Sequence, residues 1–249
     1  MALVRVSKFL SNQGIASRRS IEKLIDAGKV SINGQVIREQ GVKIDPDKDR
    51  VMIDNKIVKN DSLLVYFWIN KPVGIISAAS SRSGETTVVD LVGTTRRIFP
   101  VGRLDKDSQG LLLLTNDGEL THRLTHPKYH IDKTYHVSVR GTVTDKKLDK
   151  LRQGVQLSEG RTAPAEISRL DKDMGTDFTW LSFVIHEGKN RQIRRMCEKV
   201  NLTVVDLIRV AVGPIHLTGL KPGNWRYASQ QEIQSLKELV GMPRSLKVS

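Results

Sequence analysis

Four consecutive leucines at residues 111–114 stand between the polar stretch Gly102-Arg-Leu-Asp105-Lys-Asp-Ser-Gln-Gly110 and the turn formers Asn116-Asp-Gly118. A short unbroken apolar run bounded by turn signals reads as a buried strand. The Gly/Ser/Asp loop ahead of it therefore holds its carboxylates at the edge of a core, where their surroundings can be tightly controlled. Aspartate in a loop is usually a turn former or a helix cap. On this pattern alone Asp107 and Asp117 are as eligible for chemistry as Asp105.

The chain has 249 residues, enough for one substantial core plus a small accessory unit. Residues 3–59 read as that unit. Ser17 can cap a helix whose Ile21, Leu24 and Ile25 share one apolar face, and Gly28 ends it. Val30-Ser-Ile32 and Gln35-Val-Ile37 flank Asn33-Gly34, the strongest short hairpin signal. Asp45-Pro46-Asp47 marks a turn before the short strand Val51-Met-Ile53. Lys59-Asn-Asp-Ser62 is polar and reads as a flexible linker, with a protease-sensitive site near Lys59 and an N-terminal unit free to swing.

A second unit opens with the apolar run at residues 63–69, expected to halt at Asn70-Lys71-Pro72. Strand-like runs then alternate with helices, most clearly at 137–139, 181–185 and 215–217. Ser229-Gln-Gln-Glu232 is a capping box ahead of a helix carrying Ile233, Leu236 and Val240. The tail 243–249 is short and basic.

Lys and Arg number 40 against 27 Asp and Glu, a net charge of +13 that favours polyanions, nucleic acid above all. Residues 1–60 carry 12 Lys and Arg against 7 Asp and Glu. Arg18 and Arg19 follow Ser17 at a helix N-terminus, where unpaired N–H groups and two guanidinium forks suit a phosphate; Lys23 lies one turn on, and Lys8 can extend the surface. The bland alternative is a solvated helix face.

One cysteine, Cys197, excludes an intramolecular disulfide or a cysteine metal cluster, and is expected to be an inert buried thiol. The six histidines show no HExxH spacing. No window approaches the roughly 20 apolar residues that cross a bilayer, and the N-terminus lacks the long apolar stretch of a secretory signal. A cytoplasmic location without membrane contact is expected.

A second basic segment runs Glu187-Gly-Lys189-Asn-Arg191-Gln-Ile-Arg194-Arg195-Met-Cys-Glu-Lys199. Ile193, Met196, Cys197 and Val200 form an apolar helix face opposite Arg191, Arg195 and Glu198. Arg194 sits at the boundary, where an arginine can pack its stem and reach into a cleft, or serve as a structural ion pair.

The stretch SKFLSNQGIASRRSIEKLIDAGKVSINGQVI resembles the S4 RNA-binding domain. GRLDKDSQGLLLLTNDG and EGKNRQIRRM, with Asn70-Lys-Pro-Val-Gly74 upstream and Gly223-Asn-Trp-Arg226 downstream, resemble the Rsu/Rlu family of bacterial ribosomal RNA pseudouridine synthases. The resemblance spans nearly the whole chain and comes nearest to the large-subunit 23S branches, types B and F; a small-subunit target is left open. It implies an α+β protein: an S4 domain (the α-L type) at 1–60, a catalytic domain at 61–242 with a mixed, mostly antiparallel sheet flanked by helices, and the tail 243–249. A monomer is expected, with ribosomal RNA or an assembling ribosomal subunit as partner.

Carried over by motif, Asp105 is the catalytic carboxylate, Tyr135 of Lys133-Thr-Tyr stacks on the base, and Arg194 pairs with Asp105. Leu207 lines the pocket, and Arg103 meets flipped-out RNA. Arg18, Arg19 and Lys23, with Lys8, Lys189, Arg191 and Arg195, bind RNA. The alternative for Tyr135 is a strand aromatic packed in the core. The reaction implied is an isomerisation that breaks N1–C1′ and joins C5 to C1′, and it calls for no cofactor or metal. The rival functions are a non-catalytic S4-type ribosome-assembly factor and a nuclease, the latter needing clustered carboxylates for metal ions.

Overall fold

The computed structural model describes residues 3–60, 63–81, 83–171 and 178–243. Asp61 and Ser62 of the expected linker, and the tail from Arg244, lie outside the described residues.

The N-terminal unit forms as its local signals dictate. Ser17 Oγ accepts the Ser20 N–H at 3.1 Å and starts helix Arg18–Asp26, which buries Ile21 and Ile25. Gly28 follows its C-terminus at φ +69°. Asn33 and Gly34 adopt φ +51° and +87°, the mirror-image turn that matches strand twist, and so pair Ile32 with Gln35. The strands run in the order Gln35–Ile37, Val30–Ile32, Val51–Ile53, Lys56–Ile57. With helices Val6–Asn12 and Arg18–Asp26 they enclose Val6, Phe9, Leu10, Ile21, Ile25 and Val30.

The rest is built on one mixed sheet. Its main path is Glu166–Arg169, Thr179–Ile185, Lys133–Arg140, Thr203–Val212, Gln109–Thr115, Tyr66–Lys71 and Trp225–Tyr227. Every pairing along it is antiparallel except that of Thr203–Val212 with Gln109–Thr115. Strand Thr203–Val212 is thereby inserted between the strand that follows the Asp105 loop and the strand that carries Tyr135.

Both faces are covered, which accounts for the unalternating leucines. Leu112 and Leu114, with Phe67 and Ile69, join a core under helices Val88–Val92, Asp145–Arg152 and Gln192–Glu198. Leu111 and Leu113, with Tyr66 and Trp68, face helices Gly118–Thr125 and Gln230–Leu239. The capping box at Ser229 and Glu232 forms as its sequence predicts. Burial pushes the Cys197 thiol up to about 12, as an inert core cysteine requires.

The apolar run at 63–69 behaves differently from its expectation. Leu63 and Leu64 are exposed, and the strand runs from Tyr66 through Asn70 and Lys71 instead of stopping before them. The two polar side chains find donor partners there: Asn70 Nδ2 donates to the Leu220 carbonyl at 2.7 Å, and Lys71 Nζ to those of Ser108 and Pro72 at 2.7 and 2.9 Å.

The N-terminal unit touches the larger one directly. Arg97 Nη1 donates to Ser11 Oγ at 2.9 Å and to the Ser11 carbonyl at 3.2 Å, and Lys8 Nζ lies 4.0 Å from Glu119.

Candidate active site

The turn carrying Asp105 is held by five consecutive carbonyls, each bonded. Leu104 accepts from Ser77 Oγ at 2.8 Å, Asp105 from the Ser108 N–H at 3.1 Å, and Lys106 from the Gly74 N–H at 2.8 Å. Asp107 accepts from Arg194 Nη2 at 2.9 Å, and Ser108 from Lys71 Nζ at 2.7 Å. With each carbonyl engaged, the backbone has little freedom and the Asp105 carboxylate is aimed by the turn itself. Its side chain is 32% exposed, so it stands at a mouth and not inside the core.

Lys71 lies beneath this turn with no solvent exposure. Burial brings its ammonium down to about 8, against the pull of Asp105 and Asp107, and Arg209 adds to the depression.

Asp105 opens onto a cavity of about 330 Å³, whose wall includes Arg103, Lys133, Tyr135, Leu207 and Arg209. Sheet register explains why residues so distant in sequence meet there. Tyr135 pairs with Arg209, Arg209 with Gly110, and Gly110 with Lys71, one row across four strands. Gly110 has φ +120°, and a Cβ there would lie 2.3 Å from the Arg209 carbonyl oxygen. Only glycine permits the strand after the Asp105 turn to approach its parallel neighbour so closely. Tyr135 belongs to the core and also lines the cavity at 8% exposure. Leu207 supplies apolar wall at 7% exposure. An apolar surface, an aromatic, the Asp105 carboxylate and several cations, one of them paired with Glu187, together suit a planar neutral base on an anionic backbone.

The expected pair of Arg194 with Asp105 is not what the structure contains. Arg194 Nε lies 3.4 Å from Asp107 Oδ2, while its Nη1 and Nη2 donate to the carbonyls of Val204 and Asp107. Arg194 is 8% exposed and tucked under the turn, held there by its bonds to two backbone carbonyls. The cation nearest Asp105 is Arg191, with Nη1 at 4.0 Å from Oδ2, and that residue also holds Asp107 at 3.0 Å. Arg191 adopts φ +48° at the head of helix Gln192–Glu198, a left-handed conformation uncommon outside glycine.

The other basic residues divide into engaged and open. Lys189 bonds Glu187 at 3.0 Å and the Arg161 carbonyl at 2.8 Å, and Arg195 is locked to Glu159. Arg103 is exposed at the cavity and makes no ion pair among the described residues. Arg18 and Arg19 are exposed on the first turn of their helix and Lys23 on its last, while Lys8 turns toward Glu119.

Lys71, Lys133 and Arg209 were missed as site residues. Lys71 lies in the motif Asn70-Lys-Pro-Val-Gly74 and Lys133 in Lys133-Thr-Tyr135, which were signals for both; what brings Lys133 and Arg209 to one wall is sheet pairing.

Comparison with known proteins agrees with this geometry. A family model described as RNA pseudouridylate synthase matches residues 65–199, and one for the S4 domain matches residues 4–49. The chain is 42% identical over 236 residues to ribosomal large subunit pseudouridine synthase B of Bacillus subtilis (strain 168), spanning 94% of this chain and 96% of the relative. It is 41% identical over 244 residues to an uncharacterized RNA pseudouridine synthase of Aquifex aeolicus (strain VF5), spanning 97% of each. A crystal structure of a pseudouridylate synthase matches with a TM-score of 0.65 at 30% identity, covering 94% of this chain and 99% of that one. By sequence, fold and the build of its cavity, this chain belongs to the RNA pseudouridine synthase family, with an S4 domain at its N-terminus.

Proposed function

We propose that the protein converts uridine to pseudouridine in the 23S RNA of the large ribosomal subunit, with Asp105 as its catalytic carboxylate. The observation that carries this reading is the fixed turn presenting Asp105 to a cavity walled by Tyr135 and Leu207. The similarity to a large-subunit synthase supports the choice of RNA. The target base leaves its stack at a cost of a few kcal/mol. Stacking on Tyr135, worth about 1–3 kcal/mol, offsets that cost. Charged Asp105 then acts on the exposed nucleotide as nucleophile or base. The N1–C1′ bond breaks, C5 joins C1′, the C5 hydrogen leaves to solvent and N1 takes a proton.

In this reading Arg103 meets the extruded strand, Lys189 and Arg191 border the cleft, and Arg195, Arg18, Arg19, Lys23 and Lys8 bind RNA outside it. Phosphate contacts of that kind position the substrate and do not read its sequence. Arg194 supports the turn. We place the boundary between the S4 and catalytic domains at residues 60/61, with a tail from 243, and assign the protein to the cytoplasm as a monomer acting on ribosomal RNA or an assembling subunit.

The test is tritium release from ribosomal RNA labelled at uracil C5, for wild type and Asp105→Asn. Release by wild type alone supports both reaction and residue. Substantial release by the mutant removes Asp105 from the chemistry, and binding without release from either subunit's RNA favours an assembly factor.

A further inference from the structure

Lys133 occupies a position that the reaction as described leaves unused. Its strand is paired on both sides, with Ile185 and with Val212, so its backbone is fixed. The two-residue period of a strand puts its side chain on the face of Tyr135, and both line the cavity. Lys133 Nζ donates to the Ile131 carbonyl at 3.0 Å and makes no ion pair among the described residues. An ammonium has three N–H donors, so two remain to be used.

The surroundings make this cation costly. Burial and the nearby Arg209 push Lys133 down to about 8, and Asp132 offsets this only in part. The cavity's other cations do not share the same deficit equally. Lys189 is neutralised by Glu187 and Arg191 by Asp107, each at 3.0 Å. Arg103, Lys133 and Arg209 remain without ion-pair partners among the described residues; of the two carboxylates in the wall, Glu187 is taken up by Lys189, which leaves Asp105. A cavity of this charge is completed by an anion. Uracil and ribose are neutral, and the anionic group of an RNA substrate is its phosphate.

We infer that Lys133 binds a backbone phosphate adjoining the extruded uridine, and so seats the target nucleotide with its base against Tyr135. This rests on the reading of the chain as an RNA pseudouridine synthase. The contact makes Lys133 a substrate-binding residue within the cavity, separate from the surface grip of the S4 helix.

The test is the salt dependence of binding to ribosomal RNA fragments by wild type, Lys133→Met and Lys133→Arg. One lost phosphate contact on single-stranded RNA lowers the slope of log affinity against log salt by about 0.7. Lys133→Met should show that drop and bind about tenfold more weakly, the scale of one charge-assisted hydrogen bond. Lys133→Arg should restore the slope. A neutral methylphosphonate on one side of the target uridine should weaken wild type and leave Lys133→Met unchanged. A wild-type slope in Lys133→Met overturns the assignment, as does a slope lost equally in Lys133→Arg, which would mark a structural role. Tritium release by wild type is measured in parallel. Its absence would overturn the reaction, while the slopes still decide whether Lys133 holds a phosphate.

Discussion

Arg194 Nη2 donates to the backbone carbonyl of Asp107 at 2.9 Å, two residues beyond the carboxylate that the turn presents. The arginine therefore acts on the shape of the turn from below. Arg194→Ala should lower kcat by about a hundredfold, the cost of misplacing a reacting group by about 1 Å. RNA affinity should change little, because Arg194 is not among the residues of the cavity wall. Single-turnover tritium release alongside a binding titration checks the split; a loss confined to affinity would contradict it.

Gly110→Ala should destabilise the protein by about 2–4 kcal/mol, since its Cβ would meet the Arg209 backbone at 2.3 Å in a region where neither strand can yield easily. Gly219→Ala is the control. It has φ +67° but open space around it, so it should cost only about 1–2 kcal/mol of backbone strain. Urea unfolding of both variants measures the contrast.

Lys71 makes stability depend on pH in an unusual direction. Its group titrates near 10.5 when unfolded and about 8 when folded, so between these values the unfolded chain holds a proton that the folded chain has released. Stability contributed by this group therefore rises with pH from about 8 to 10.5, and the cost of the buried charge is fully present below about 8. The slope for one such group reaches about 1.4 kcal/mol per pH unit. Unfolding curves across this window should show that Lys71→Met lacks one group's share of the rise, Lys133 supplying another.

Arg97→Ala removes both bonds to Ser11. The N-terminal unit should then move more freely, and cleavage near Lys59 by a protease should accelerate several-fold over wild type, which follows the population of the open form. Activity on long ribosomal RNA should fall more than activity on short fragments. Equal cleavage rates would mean that the Ser11 contact does not restrain the unit.

What the chain discloses by reading, and what it conceals, follows the range of the interactions. The turn at Asn33 and Gly34, the cap at Ser17 and the box at Ser229 rest on contacts within a few residues, and each forms where its sequence says. The leucines of 111–114 announced a buried strand correctly, and Asp105 ahead of them stands in the cavity as expected. Lys71 was misread because a lysine at the end of an apolar run looks like its exit, while its partners, Ser108 and Pro72, are visible only once the sheet is assembled. Arg194 was given to Asp105 because motif identity says which residue is present but not which neighbouring carboxylate it meets. Asp107, two residues on, took the contact. Lys133, though part of the motif Lys133-Thr-Tyr135, and Arg209 acquire their common surroundings only through the register Tyr135–Arg209–Gly110.

The late insertion of strand Thr203–Val212 between the strands that serve Asp105 and Tyr135 has a consequence for synthesis. A nascent chain that has already delivered both of those residues still lacks the strand that sits between them. Until residues 203–212 have emerged, the carboxylate and the aromatic ring have no common wall, and Leu207 and Arg209 are absent altogether. A ribosome making this protein is surrounded by the very polymer its product modifies. The order of the strands leaves an unfinished copy without an assembled cavity, and only the last fifth of the chain supplies the strand that completes it.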